Sequence, residues 1–313
     1  MVLIQVAAAV VILFTLFIFS LWIVDYVQRR RVYNVKTGEL IQGTSIFFLP
    51  WFLFAQKKES TMHYSLKLAK KLGKPVISGW AISKMIVRVR DPILAKQVLN
   101  ETETFKHNVL DLVKYSTRFI GHDHLVGIND PQWSRQRKIL DPAFKSLGNY
   151  FNIFSKKTAA VMHQMIEKDG PIIDDVHKYT QAMALDILGL SIFGYDFKSV
   201  EVEKEDDNLK SYNYLMDLFF NIKKALPAMI THNFESLSST KETLKQIQIW
   251  ENLRTSLIEV SKKKIQEKSI DSSNYSMLDM MVESLLENDS DEKLTQKEII
   301  DNIGIFFLAG HET

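Results

Sequence analysis

The sequence contains no cysteine among its 313 residues. A disulfide framework is therefore excluded, and so is any zinc site that depends on cysteine ligands. No internal repeat or low-complexity tract is visible. Apolar residues make up 46% of the chain and charged residues 24%, which is ordinary for a folded protein.

The chain also has little excess of charge of either sign, because its formal net charge is only +2. No long basic run follows the first thirty-odd residues, so we expect no nucleic-acid partner. Among the eight histidines only His122 and His124 lie close together in the sequence. Two imidazoles with one aspartate in a loop make an incomplete metal shell, and no metal site is predicted.

The first 24 residues hold 21 apolar side chains and no charged one. As a helix they would span roughly 36 Å, enough to cross a bilayer core of about 30 Å. The basic run 28–31 follows at once, which predicts that the chain after it lies in the cytosol. A cleaved signal peptide is disfavoured, because bulky residues 21–24 stand where cleavage would fall. The sequence therefore predicts a single-pass membrane anchor over 1–24.

Residues 25–60 are predicted to form a basic stop and a linker. The apolar stretch 46–54 within them is too short to span a membrane and contains Pro50. It is either an interfacial segment or a core segment at the start of the folded domain, and the sequence leaves both open.

From residue 61 onward helical periodicity dominates, with a small sheet near the front. We predict a helix over 61–72, strands over 76–80 and 85–89, and a helix from Pro92 to Leu99. A loop-rich stretch over 105–130 precedes a helix that starts at Pro131 and that Asp141-Pro142 breaks after Leu140. The further predicted helices cover 150–168, 174–193, 209–230, 241–268, 277–287 and 295 to the end.

The last predicted helix carries the clearest functional signal. Thr295 and Glu298 fit a capping box, and the run that follows is apolar on nearly every side, as in a helix buried inside a large protein. Inside this run, 309–313 reads Ala-Gly-His-Glu-Thr. Glycine costs about 1 kcal/mol in a helix interior, and a buried carboxylate and imidazole need partners. Such a break of local rules predicts a functional site.

A second motif lies in the helix that starts at Pro131. Trp133 and Arg137 stand one helical turn apart, so both can reach the same object. Their side chains are hydrogen-bond donors without an acceptor and suit a carboxylate. Ser134, Arg135 and Lys138 are expected to face away as a basic outer surface.

These two segments resemble motifs of the cytochrome P450 family. Residues 309–313 are similar to the family's oxygen-binding motif, Ala/Gly-Gly-x-Asp/Glu-Thr, on its long central helix. Residues 133–137 are similar to its Trp-x-x-x-Arg helix. The order of anchor, basic stop, small sheet and the two motifs also matches. The resemblance implies the mainly α P450 fold, with 61–313 as an incomplete catalytic domain.

The resemblance also implies roles for individual residues. Thr313 and Glu312 would be the catalytic pair that delivers protons to iron-bound dioxygen. Ala309 would line the oxygen pocket, and Gly310 would permit a local helix distortion.

Cofactor contacts follow from the same resemblance. Trp133 and Arg137 would bind a haem propionate, and His107 stands where some family members place another propionate contact. The cofactors would be haem b and, through NADPH-cytochrome P450 reductase, NADPH.

The implied activity is a haem-thiolate monooxygenase of the endoplasmic reticulum membrane, with its catalytic domain in the cytosol. It would insert one oxygen atom from O₂ into an apolar small-molecule substrate. The substrate pocket would draw on 105–130, on 209–230, and on the central helix near Phe306 and Ala309.

The sequence departs from the family in lacking two later motifs, the Glu-x-x-Arg pair and the loop whose cysteine ligates the haem iron. That thiolate favours O–O cleavage. We therefore expect an incomplete, inactive product that does not bind haem stably and whose central helix exposes an apolar face. Two alternatives stay open: a membrane zinc metalloprotease whose His-Glu-x-x-His begins at His311, and a haem-free truncated interaction protein.

Overall fold

The computed structural model describes residues 2–34, 36–45, 61–81, 84–101, 117–145, 150–170, 172–200, 207–221, 240–267, 275–287 and 292–312. The segment 46–54 lies outside these described residues. The chain forms two compact units, Met1–Lys106 and His107–Thr313. Helices dominate, with a two-stranded sheet and an apolar N-terminal helix. This architecture confirms the predicted mainly α fold class.

The first unit opens with a long apolar helix. Its elements are α1 (Val2–Arg30), α2 (Thr61–Leu72), β1 (Val76–Ala81), β2 (Lys84–Val89) and α3 (Pro92–Asn100). Within Ala8–Arg30 of α1, an 18-residue window has a mean hydropathy of 2.4 and is almost entirely exposed. By length and composition α1 could cross a membrane, and it is the one such helix in the part of the chain that the structure describes.

A buried carboxylate joins the end of α1 to the sheet. Asp25 is 7% exposed, and it accepts hydrogen bonds from Trp80 Nε1 at 2.5 Å, Ser45 Oγ at 2.8 Å and Arg29 Nε at 3.0 Å. β1 and β2 pair antiparallel, with Trp80 opposite Met85. The strands agree with the sequence prediction to within one residue at each end.

In the second unit the regular elements are all helices, over the residues that the structure describes. Its elements are α4 (Thr117–Ile120), α5 (Gln132–Lys145), α6 (Phe151–Asp169), α7 (Val176–Leu188), α8 (Asp207–Phe220), α9 (Lys241–Gln266), α10 (Met277–Leu286) and α11 (Gln296–Glu312). A π-helical turn, Gly189–Phe193, continues α7. The helix predicted over 174–193 is therefore confirmed in its extent but changes its hydrogen-bonding pattern near its end.

α11 is the central helix of this unit and touches α4, α7, α9 and α10. The Phe307 side chain is fully buried. It stacks on Phe193 at a centroid distance of 4.3 Å and meets the edges of Trp250 at 4.9 Å and Phe197 at 5.4 Å. Burial of such a ring contributes about 2–3 kcal/mol to folding. The predicted burial of the last helix is confirmed over Ile299–Phe307.

The start of α11 has the cap that its sequence predicts. The Thr295 N–H donates to Glu298 Oε2 at 2.8 Å, and the Glu298 N–H donates to Thr295 Oγ1 at 3.2 Å. The two residues satisfy each other's backbone donors, so the predicted capping box is confirmed.

The predicted break at Asp141-Pro142 is wrong, because α5 runs on to Lys145 with Pro142 inside it. Proline removes one backbone hydrogen bond, but here it stands in the last turn of the helix. Leu140 is fully buried on one side of it and Ala143 is 4% exposed on the other. This burial against the core outweighs the local preference to end the helix.

Candidate functional site

Helix α5 presents the two predicted carboxylate-binding side chains at its surface. Trp133 is 41% exposed, and the Arg137 side chain is exposed to the same degree. Arg137 Nε lies 2.5 Å from Asp141 Oδ1, one turn further along the helix. The two side chains are 41% and 35% exposed, so solvent screens this ion pair only in part.

An aromatic contact connects this surface to α11. The Arg137 guanidinium lies over the Phe144 ring, with 5.3 Å from Cζ to the ring centroid. Phe144, which is 39% exposed, meets the edge of Phe306 at 6.2 Å. Arg137, Phe144 and Phe306 therefore form a continuous line of contacts from α5 to α11.

The last described turn of α11 offers small, exposed residues. Ala309 and Gly310 are exposed, whereas the preceding Phe307 is fully buried. A Cβ on Gly310 would lie 2.3 Å from Leu188 Cδ1. The structure thus gives Gly310 a packing reason, which is the close approach of α7 to α11. α11 continues through Gly310 to Glu312 as an α-helix.

The remaining predicted site residues are placed only in part. Thr313 and His107 lie outside the described residues, and of Glu312 only the backbone position at the end of α11 is described. His311 is buried, and its Nδ1 lies 3.1 Å from the Tyr212 hydroxyl. A zinc protease would need this imidazole open to a metal, so its burial gives the protease alternative no support.

A buried group of polar side chains, which the sequence did not predict, joins α5 to α11. We call Arg135, Gln136, Glu298 and Asn302 the polar junction. Gln136 Nε2 donates to Glu298 Oε1 at 3.2 Å, and Asn302 Nδ2 donates to Gln136 Oε1 at 2.9 Å. Gln136 and Asn302 are fully buried. The only signal in the sequence was a pair of polar residues one turn apart, Glu298 and Asn302, beside an apolar run.

The charged half of the polar junction corrects the predicted basic surface. Arg135 forms a two-pronged ion pair with Glu298 and also donates to the Lys293 carbonyl at 2.5 Å. Lys138 pairs with Glu292 at 2.5 Å. Arg135 therefore points into the contact with α11 rather than outward, because it neutralises a carboxylate that α11 buries.

The pKa of Glu298 reflects this contact. Burial alone would raise the pKa, but hydrogen bonds from Arg135, from the Thr295 backbone and from Gln136 outweigh burial and lower it. Glu298 is therefore ionised at neutral pH and holds Arg135 in place.

The loop 121–125 is bound to the same end of α11. The Asp301 carboxylate accepts the backbone N–H groups of His122 at 3.0 Å and Asp123 at 2.8 Å. Gly121 has a φ of +98°, and a Cβ there would lie 2.2 Å from Asp301 Cγ. Only glycine combines this backbone conformation with so close a contact.

The residues that the structure describes on α5 and α11 fit one side of a haem group. Trp133 and Arg137 supply hydrogen-bond donors of the kind that suit propionates, and Ala309 and Gly310 are small and exposed. None of the 313 residues is a cysteine, so the chain supplies no thiolate to the iron.

Comparisons with known proteins agree with this geometry. The family model for cytochrome P450 matches residues 43–313. An 11-oxo-beta-amyrin 30-oxidase of Glycyrrhiza uralensis is 27% identical over 252 residues, which are 75% of this chain and 45% of that protein. The probable cytochrome P450 313a4 of Drosophila melanogaster is also 27% identical, over 66% of this chain and 40% of that protein.

A solved structure shows the same fold. The crystal structure of the cytochrome P450DA haem domain superposes with a TM-score of 0.57 at 20% identity, covering 80% of this chain and 52% of that one. The chain therefore spans about half the length of the proteins that it matches.

Proposed function

The chain belongs to the cytochrome P450 family, and from that premise we propose that it forms part of a haem monooxygenase that acts on an apolar organic substrate. One observation carries the proposal. Arg137, one turn after Trp133 on α5, contacts Phe144, and Phe144 meets Phe306, which lies three residues before the exposed Ala309 on α11.

Haem iron, when bound, supplies the activation of O₂. Trp133 and Arg137 would bind the propionates and so orient the group. Ala309 would leave room beside it, and Gly310 would let α11 approach Leu188 of α7 closely. Glu312 and Thr313 would hold a water molecule and pass on the protons that the reaction consumes, a general-acid task. Electrons come from NADPH through a reductase.

A thiolate ligand to the iron does not come from these 313 residues, because they include no cysteine. As this polypeptide alone, the chain is therefore inactive toward O₂. We expect it to bind haem weakly, through propionate contacts and the exposed last turn of α11, and not through the apolar face of α11, which is buried in the core.

We place the protein at the endoplasmic reticulum membrane with its helical domain in the cytosol. The support is the exposed apolar helix α1 and the arginines 29–31 that follow its apolar part. Carbonate extraction and protease protection of the expressed chain test this placement. Release into the soluble fraction would contradict it.

The haem proposal is tested by titrating the full chain in detergent micelles with hemin and with hemin dimethyl ester, whose propionates are blocked. We expect hemin to bind more tightly than the ester, and Arg137→Gln to remove most of that preference. Lys145→Gln, at an exposed position of the same helix, is the matched control. Equal binding of hemin and ester by the unaltered chain would contradict the proposal.

A further inference from the structure

The polar junction contains two side-chain amides that leave each other little freedom. Gln136 Nε2 donates to the Asp123 carbonyl at 2.9 Å as well as to Glu298, and its Oε1 accepts from Asn302. Asn302 Nδ2 also donates to the Glu298 carbonyl at 2.8 Å, and its Oδ1 accepts from the Leu125 N–H at 3.0 Å. Both N–H groups of each amide thus have an acceptor, and each oxygen has a donor.

Such a pair specifies one relative placement of its helices. Turning either amide over would set N–H against N–H and oxygen against oxygen. A shift of α5 along α11 by one residue would leave fully buried polar groups unpaired, which is costly in a low-dielectric interior. Apolar side chains of similar size would bury as well, but they would not select a register.

The position of the two amides relates this register to the candidate haem face. Gln136 immediately precedes Arg137 on α5. On α11, Asn302, Phe306 and Ala309 follow at intervals of four and three residues and therefore share one face. Ala309 lies about 10 Å beyond Asn302 along the helix axis. A small rotation or slip at the junction therefore moves Ala309 relative to the Arg137 guanidinium.

We infer that Gln136 and Asn302 are positioning residues, which set the distance between the propionate donors of α5 and the open face of α11. The inference rests on the proposed function, because it takes these two surfaces as two sides of one haem pocket. Neither amide contacts the haem itself. Their effect passes through Arg137 on one helix and through Ala309 on the other.

The natural absence of cysteine allows a direct distance measurement. Lys145→Cys on α5 and Gln296→Cys at the start of α11 replace exposed residues, and a spin label on each reports the placement of the helices. The otherwise natural chain should give one narrow distance distribution. In the Gln136→Leu/Asn302→Leu background we expect a broadened or two-peaked distribution. An unchanged narrow distribution would overturn the inference.

A second readout separates positioning from mere stability. In the double-leucine variant the preference for hemin over its dimethyl ester should fall about tenfold, which corresponds to about 1.4 kcal/mol. Gln132→Leu, at an exposed position of α5, should leave the preference unchanged. If the preference persists while the distance distribution broadens, the register does not position the pocket and the inference fails.

Two further outcomes are distinguishable. If the natural chain shows no preference for hemin, the proposed function fails, while the label distances still decide whether the amides set the register. If the double variant does not fold, Gln136→Met takes its place, because methionine keeps nearly the same shape without hydrogen bonds. We then expect the same broadened distance distribution and the same loss of preference for hemin.

Discussion

The two ends of α11 are built for different tasks. From Glu298 to Phe307 nearly every side chain is buried, and the polar ones bind α5 or the loop 121–125. At Ala309 and Gly310 the helix is open, and its residues are small. The first part of the helix therefore packs the unit together, and the exposed last turn is the surface that we propose for a ligand.

Helix α5 shows the same division between its two faces. Gln136 and Leu140 are fully buried against the core, whereas Trp133 and Arg137 are exposed. The buried faces of α5 and α11 meet at the polar junction, so the relative position of the two exposed surfaces depends on this one contact. Mutations should therefore separate into those that unfold the unit and those that affect only ligand binding.

The largest expected effect lies in the buried part of α11. Phe307→Ala removes a ring that stacks on Phe193 and meets three other aromatic residues. We expect it to lower the free energy of unfolding in urea by about 4 kcal/mol. Phe151→Ala, at a ring that is 71% exposed, should cost less than about 1 kcal/mol. Equal losses from the two variants would mean that α11 is not the core of the unit.

Two glutamates that pair with α5 give the next comparison. Glu298→Ala should cost about 3 kcal/mol, because the half-buried Arg135 loses its counter-charge and the fully buried Gln136 loses one of its two acceptors. Glu292→Ala breaks an ion pair whose side chains are 63% and 71% exposed, and it should cost less than about 1 kcal/mol. Urea denaturation of both variants measures the difference. A loss at Glu298 no greater than that at Glu292 would refute a buried junction.

Two glycines compare the halves of α11 directly. A Cβ on Gly304 would lie 2.5 Å from the backbone oxygen of Ile120, which cannot move alone, whereas one on Gly310 would meet the end of the Leu188 side chain. We expect Gly304→Ala to destabilise the protein by about 2 kcal/mol. Gly310→Ala should cost less, since Leu188 can shift and alanine favours the helix. Thermal melts of the two variants measure the two losses of stability. A larger loss for Gly310→Ala than for Gly304→Ala would contradict this expectation.

The smallest expected effect is a pH dependence. The pKa of Glu298 is lowered in the folded state, so its contribution is fully present above the unfolded value of about 4.3 and is lost as the pH falls through the folded value. The stability gap between the natural chain and Glu298→Gln should be constant near neutrality and shrink in acid. Urea midpoints at a series of pH values measure the gap, and a gap that ignores pH would show that the carboxylate charge contributes nothing.

Local patterns in the sequence predict the secondary-structure elements well where residues close in the sequence decide the backbone conformation. The helix Thr61–Leu72 and the capping box of Thr295 and Glu298 agree with the structure. The predictions for Pro142 and Arg135 are wrong. The helix continues past Pro142 because α5 is buried against α10, and Arg135 points inward because it pairs with a carboxylate of α11. Such partners are distant in the sequence, and periodicity carries no information about them.

The candidate site divides in the same way. The exposure and spacing of Trp133 and Arg137 follow from one helical turn and could be predicted. The bond between Gln136 and Asn302 joins residues 166 positions apart, and a single sequence gives no reason to pair them. Gly310 was predicted as a point of helix distortion, while the structure adds its contact with Leu188.

The central claim is that the open end of α11 is a haem face, and Ala309→Trp tests it most directly. Ala309 is exposed, so an indole there should leave the melting temperature nearly unchanged while it fills the space over the last turn. Hemin titration of the full chain, followed by its absorption spectrum, is the measurement, with Ala309→Ser as the size-matched control. We predict that Ala309→Trp loses hemin binding and that Ala309→Ser keeps it. Undiminished hemin binding by a folded Ala309→Trp variant would contradict the assignment of this face to haem.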